Sequence, residues 1–214
     1  MFINVKTDNN GFRSINKQAM LDSLNHNSHN QLFRQWELYT PTQDLRNTYG
    51  DSVINGLDTI DLSVEFQMYG LSVYDSLIKP SVNSSWFKKH KNILLRNIAN
   101  YKGLKDGLFS EVVYVAFLLD FNLPADANGE TTLAEAETGG LYSYFTAQSS
   151  WKTRAHEFGH LLNLNHSFSE TDKKTGKFSP NFRIPKYQTH NFMDYAKGIN
   201  LTNMFYYAQW INIR

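Results

Sequence analysis

The sequence predicts an α+β fold built on a mainly parallel sheet, and three stretches carry that expectation. Ile60, Leu62, Val64, Phe66 and Met68 alternate with Asp61, Ser63, Glu65 and Gln67, the period-two pattern of a half-buried strand. Val112 to Phe121 is almost continuously apolar, as a strand covered on both faces must be. Between them, Ser84 or Ser85 can cap a helix running to about Tyr101. Its apolar face is Trp86, Phe87, Ile93, Leu94, Ile98 and Tyr101, and Lys88, Lys89, Lys91 and Arg96 are solvated. Strand, helix and strand in this order give a right-handed crossover and parallel strands.

Composition bounds the answer. A chain of 214 residues suits one domain with an ample core, and 41% hydrophobic with 14% aromatic residues indicates a packed protein. A formal charge of +1 gives no electrostatic case for nucleic acid or an anionic membrane. No run approaches the roughly 18 apolar residues of a membrane span. Met1 to Asn30 lacks the apolar centre of a secretory signal, so export would use a removed signal or another route. With no cysteine there are no disulfides, thiolate zinc ligands or cysteine-based latency switch.

The other segments follow in order. Met1 to Gly11 is mixed and ends in Asn-Asn-Gly, a turn signal. Ile15 to Tyr39 has a loose helical pattern through Met20, Leu21, Leu24, Leu32, Phe33 and Trp36. Asn25 to Asn30 interrupts it, and His26 and His29 fall in what reads as an Asn-rich solvated loop. Residues 1–58 could be an extension, a pro-segment or part of the fold. Leu123 to Thr138 reads as a long surface loop. Calcium on its Asp126, Asn128 and Glu130 is a secondary expectation, because their order does not match a dedicated calcium loop. Gly139 to Phe145 reads as a short strand, and Ser149 or Ser150 caps a helix from Trp151 to Leu162. Lys173 to Gly176 is a loop tip, His190 is structural, and Thr202 can cap a last helix with Phe205, Tyr206 and Trp210 on its apolar face.

The chemistry concentrates in His156-Glu157-Phe158-Gly159-His160-Leu161-Leu162-Asn163-Leu164-Asn165-His166. On a helix, His156 and His160 stack on one face, so both imidazoles reach one metal ion with Glu157 beside them as a proton acceptor. A straight helix could not bring His166 back to that ion, so the chain must turn at or after Asn163. Asn is the non-glycine residue best suited to the left-handed turn that ends helices. Three neutral histidines leave a fourth tetrahedral position open, the arrangement of a catalytic zinc site with one Zn2+ per chain. Leu161, Leu162 and Leu164 read as core.

This stretch resembles the signature of the metzincin metallopeptidases, His-Glu-x-x-His-x-x-Gly-x-x-His, with Asn163 in place of the glycine. Asn191-Phe192-Met193-Asp194-Tyr195 resembles the family's methionine turn. His166-Ser167-Phe168, Met193 with its flanks, and Met204-Phe205 with Gln209 are most similar to the pappalysin-like branch, and the resemblance covers about residues 139–210. It implies a twisted, mainly parallel sheet with an antiparallel edge strand, a long active-site helix and a smaller C-terminal subdomain below a zinc cleft. The domain division it implies is an upper part at 59–165 and a lower part at 166–214.

The resemblance also assigns roles. Zinc would be held by His156, His160 and His166, Glu157 would be the general base, and Tyr195 would ligate zinc or stabilise the oxyanion. Met193 would be a structural floor beneath the imidazoles. The strand at Gly140, Leu141, Tyr142 and Ser143 would pair with an extended peptide substrate; an ordinary edge strand is the alternative. The expected activity is zinc-dependent peptide-bond hydrolysis on a protein or peptide, by a secreted bacterial effector or toxin. A carrier-delivered zinc-binding recognition module without proteolysis, and a zinc amidase on a non-peptide substrate, stay open.

Overall fold

The computed structural model describes residues 1–6, 16–29, 34–39, 46–47, 59–61, 114–120, 132–166, 190–194 and 205. Its elements in chain order are β1 (Phe2–Lys6), α1 (Lys17–Asn27), β2 (Thr59–Asp61), β3 (Val115–Leu119), β4 (Ala134–Ala136), β5 (Tyr142–Thr146) and α2 (Trp151–Leu161). Several expectations lie outside the described residues. They are the helix from Ser84 to Tyr101, the alternating strand beyond Asp61, the trio Asp126, Asn128 and Glu130, the Lys173 loop tip, Tyr195, and the last helix apart from Phe205.

The five strands form one sheet in the order β2-β1-β3-β5-β4. β1 pairs in parallel with both β2 and β3, β3 pairs in parallel with β5, and β4 is an antiparallel edge. All five residues of β3 are buried, which is why its sequence shows no alternation. Phe117 and Tyr144 are register partners on β3 and β5, and their rings stack at 5.3 Å with planes 14° apart.

Three features of the sheet depart from expectation. The mixed segment at the start of the chain holds β1, which lies between β2 and β3, so those two strands are not neighbours. Asn4 hides it from view, as a polar residue inside an otherwise apolar run; it is buried all the same, with its Oδ1 unpartnered among the described residues. β4 falls within the segment expected to be loop, and three residues are too few to show a period. β5 begins at Tyr142, not at Gly139, because the double glycine makes a turn. Gly139 has φ 69°, and the Gly140 N–H donates to the Glu137 carbonyl at 2.8 Å. A Cβ on Gly140 would stand 2.9 Å from that same oxygen.

The chain falls into two compact units. One comprises Met1–Lys17, Leu38–Glu135 and Leu141–Ser149, and contains β1, β2, β3 and β5. The other comprises Gln18–Glu37, Ala136–Gly140 and Ser150–Arg214, and contains α2 with nearly all of α1. The first 58 residues therefore contribute to both. α1 buries Met20, Leu21 and Leu24, the expected apolar face. The Ser28 hydroxyl and backbone N–H both donate to the Leu24 carbonyl, at 2.9 and 3.3 Å, and close the helix. Among the described residues no helix is long and apolar enough to cross a membrane.

Candidate metal centre

α2 begins where a capping side chain allows it. Ser150 is extended at φ −74°, ψ 163°, and its Oγ accepts from the Thr153 N–H at 3.2 Å. Every residue from Ala155 to Leu161 is then buried, ligand candidates included. The helix ends as Asn163 demands. Asn163 has φ 69° and is the one non-glycine residue of positive φ among those described. Its N–H donates to His160 O at 2.9 Å and the Leu164 N–H to Gly159 O at 3.0 Å, the paired bonds of a Schellman motif. An L-residue other than glycine incurs about 1–2 kcal/mol there, and asparagine's short polar side chain keeps its share small. This reversal returns His166 to the helix.

The three Nε2 atoms converge. His166 Nε2 lies 3.2 Å from His156 Nε2 and 3.1 Å from His160 Nε2, and one ligand atom from each of the three lies within 4.8 Å of the others. The remaining ring nitrogens have acceptors. His156 Nδ1 donates to the Phe192 carbonyl at 2.7 Å, and His160 Nδ1 to the Leu164 carbonyl at 2.8 Å. With the hydrogen on Nδ1, both Nε2 atoms of the helix histidines present bare lone pairs to His166. His166 can supply a hydrogen to at most one of them, and the three lie close enough together to hold a metal ion. Tetrahedral zinc with Zn–N of about 2.0–2.1 Å would separate its nitrogens by about 3.3 Å, close to what is seen. The donor set fits such an ion, with carbonyls in the outer positions that orient metal-binding imidazoles.

Electrostatics agree. Burial, then the neighbouring His160 and His166, hold His156 well below the usual histidine value, against the backbone groups of Phe192 and Asp194 that favour its charged form. A neutral imidazole is the metal-binding form.

The turn that carries the Phe192 carbonyl is built by Asn191. Its Oδ1 accepts from the Met193 N–H at 2.7 Å, and its carbonyl from the Asp194 N–H at 3.0 Å. Asn191, Phe192, Met193 and Asp194 are all buried. Met193 lies against α2 where Gly159 leaves room, since a Cβ on Gly159 would run into Met193 Sδ. On the other side, the Gly139 N–H donates to His160 O at 2.7 Å and Thr138 Oγ1 lies 3.3 Å from His160 Nδ1. The glycine turn before β5 is thus tied to His160.

Tyr142 and Ser143 belong to β5, which lies between β3 and β4 in the sheet. Ahead of them the Leu141 carbonyl accepts from Val115 N–H at 2.8 Å, and the Gly140 N–H is used in its turn. Among the described residues the two edge strands of the sheet are β2 and β4. Glu157 is buried on α2 next to His156, Tyr195 lies outside the described residues, and His190 is exposed and apart from the metal group. His29, expected in a solvated loop, is fully buried.

Several contributors escape a linear reading. The Phe192 and Leu164 carbonyls are backbone groups that any side chain could supply, so no sequence signal marks them. Gly159 could have been noticed as a glycine in the middle of a helix, where it costs about 1 kcal/mol relative to alanine and so calls for a reason. Neither the protein-family models nor the curated proteins searched contain a match to this chain.

Proposed function

We propose that the chain is a zinc-dependent endopeptidase of metzincin type, with Glu157 as general base, acting on protein or peptide substrates outside the cell that makes it. What supports this most is the convergence of the His156 and His160 Nε2 atoms, on a helix that also carries Glu157, with the Nε2 of His166 beyond its end. Three histidines suffice to hold an ion, and Glu157, next to His156 on the same helix, adds a carboxylate that can take and return a proton. A zinc ion in this set supplies a Lewis acid, polarising the scissile carbonyl and lowering the pKa of a water to about 7.

The protein's own groups do the rest. Glu157 takes the proton of the attacking water as the oxygen bonds to the carbonyl carbon. It then passes that proton to the amide nitrogen as the C–N bond breaks, and its carboxylate is regenerated. The carbonyls of Phe192 and Leu164 keep His156 and His160 in one tautomer throughout. Tyr195, two residues beyond Met193, is assigned to the oxyanion through its hydroxyl.

The test is metal analysis together with cleavage of a peptide library by wild type and Glu157→Ala. One zinc per chain in both, with cleavage lost by roughly 100–10,000-fold in the variant, is expected. Zinc without cleavage by wild type would leave a binding module or an amidase. Full activity in Glu157→Ala would end the peptidase assignment.

A further inference from the structure

We propose that His29 is a positioning residue for the metal centre, bracing His156 from two sides; this rests on the three-histidine group holding a metal. His29 is fully buried and both its nitrogens are used. Nδ1 accepts from the Trp36 indole N–H at 2.7 Å, so the ring hydrogen sits on Nε2, which donates to the Ala155 carbonyl at 3.0 Å. Ala155 immediately precedes His156 on α2. An interior helix carbonyl already has its own i+4 donor, so the imidazole adds a second bond at the peptide leading into the first ligand.

The other side of the brace passes through aromatic rings. The His29 ring meets Phe205 edge-on at 5.5 Å, and Phe205 lies 5.0 Å from Phe192. Phe192 is the residue whose carbonyl holds His156 Nδ1. His29 thus bears on both the backbone that carries His156 and the turn that fixes its tautomer. Trp36 packs on Phe158, one residue short of the Met193 contact, with ring centroids 4.7 Å apart.

The brace is itself anchored. Asn25, on α1, donates through Nδ2 to the Trp36 carbonyl at 2.8 Å and accepts through Oδ1 from the Trp36 N–H at 2.7 Å. That two-way clamp holds Trp36, Trp36 holds His29, and His29 holds the helix. A leucine or phenylalanine could fill the same volume without burying two polar nitrogens. What imidazole adds is direction, a hydrogen bond aimed at one carbonyl.

The experiment measures zinc affinity by chelator competition, the visible absorption of the Co2+-substituted protein, and melting of the metal-free protein. The variants are His29→Leu, His29→Gln and Trp36→Phe. His29→Leu is expected to weaken zinc about 10–100-fold and to shift the cobalt bands, as loss of outer-sphere support does. His29→Gln keeps a donor toward Ala155 and should recover most of the affinity and the wild-type spectrum. If His29→Leu does not fold, Trp36→Phe carries the test: a cobalt shift in the same direction supports the brace, and a wild-type spectrum overturns it. Wild-type affinity and spectrum in all three variants, whatever their melting temperatures, would reduce His29 to packing. Failure of wild type itself to bind zinc would overturn both the proposed function and the brace, whereas unchanged variants of a zinc-binding wild type overturn the brace alone.

Discussion

Two stretches of this chain pair a histidine with α-helical surroundings and put it to opposite use. At His29 each ring nitrogen has one partner of the complementary kind, an indole N–H on one side and a carbonyl on the other. At His156, His160 and His166 the Nε2 atoms face one another, while carbonyls take the outer hydrogens of the two helix histidines. Both groups are buried or nearly so, so burial does not distinguish them. The pairing does. A histidine with both nitrogens satisfied is a structural bond, and a cluster with lone pairs aimed at a common point is a place for a cation.

The largest expected effect breaks the cluster. His166→Ala should lower zinc affinity by roughly 1000-fold or more, since it removes one of three protein ligands and leaves two. Calorimetric titration reads it, and unchanged affinity would mean that the convergence of nitrogens is not a binding site.

Next comes pH, which sharpens the contrast on the His29 side. Burial pushes the His29 pKa down to about 4, against a partial rise from its bond to Ala155. Protonation would also put a hydrogen on Nδ1, pointing at the Trp36 N–H. Since the folded pKa lies below the unfolded value near 6.5, the unfolded chain takes up a proton first as pH falls. Stability is then full above about 6.5 and declines between about 6.5 and about 4, by at most about 3 kcal/mol from this group. Denaturant midpoints of metal-free wild type and His29→Gln, compared across that window, should show a smaller acid loss in the variant. Parallel curves would mean that His29 charges as readily in the folded protein as in the unfolded one.

A smaller effect tests the floor of the site. Gly159→Ala places a methyl group on Met193 Sδ, an overpacking that should cost about 1–3 kcal/mol in thermal melts even though alanine is the better helix former. A stabilised variant would show that Met193 can move aside freely.

The sequence was most legible where the cause is local. The start of α2 follows from Ser150 and its stop from Asn163, because a cap and a left-handed turn involve atoms only a few residues apart. Spacing on one helix face put His156 beside His160, and the turn requirement then brought His166 back. β3 was legible for a related reason, since a strand covered on both faces leaves an unbroken apolar run.

What tertiary structure alone decided shares one property: it joins residues far apart in sequence whose types carry no signal. β1 sits between two other strands despite Asn4, because pairing is satisfied by backbone groups that every residue has. The glycine turn moved the start of β5 forward, and β4 lies on its outer side. The carbonyl fixing His156 comes from 36 residues downstream, and His29 reaches Ala155 across 126 positions. By itself, then, the sequence determined the three-histidine group, the helix that carries two of its members and the turn that returns the third, since those depend on helical geometry and one backbone preference. Which nitrogens face one another, what supports them and how the strands are ordered depend on through-space hydrogen bonds, and only the folded chain brings those partners together.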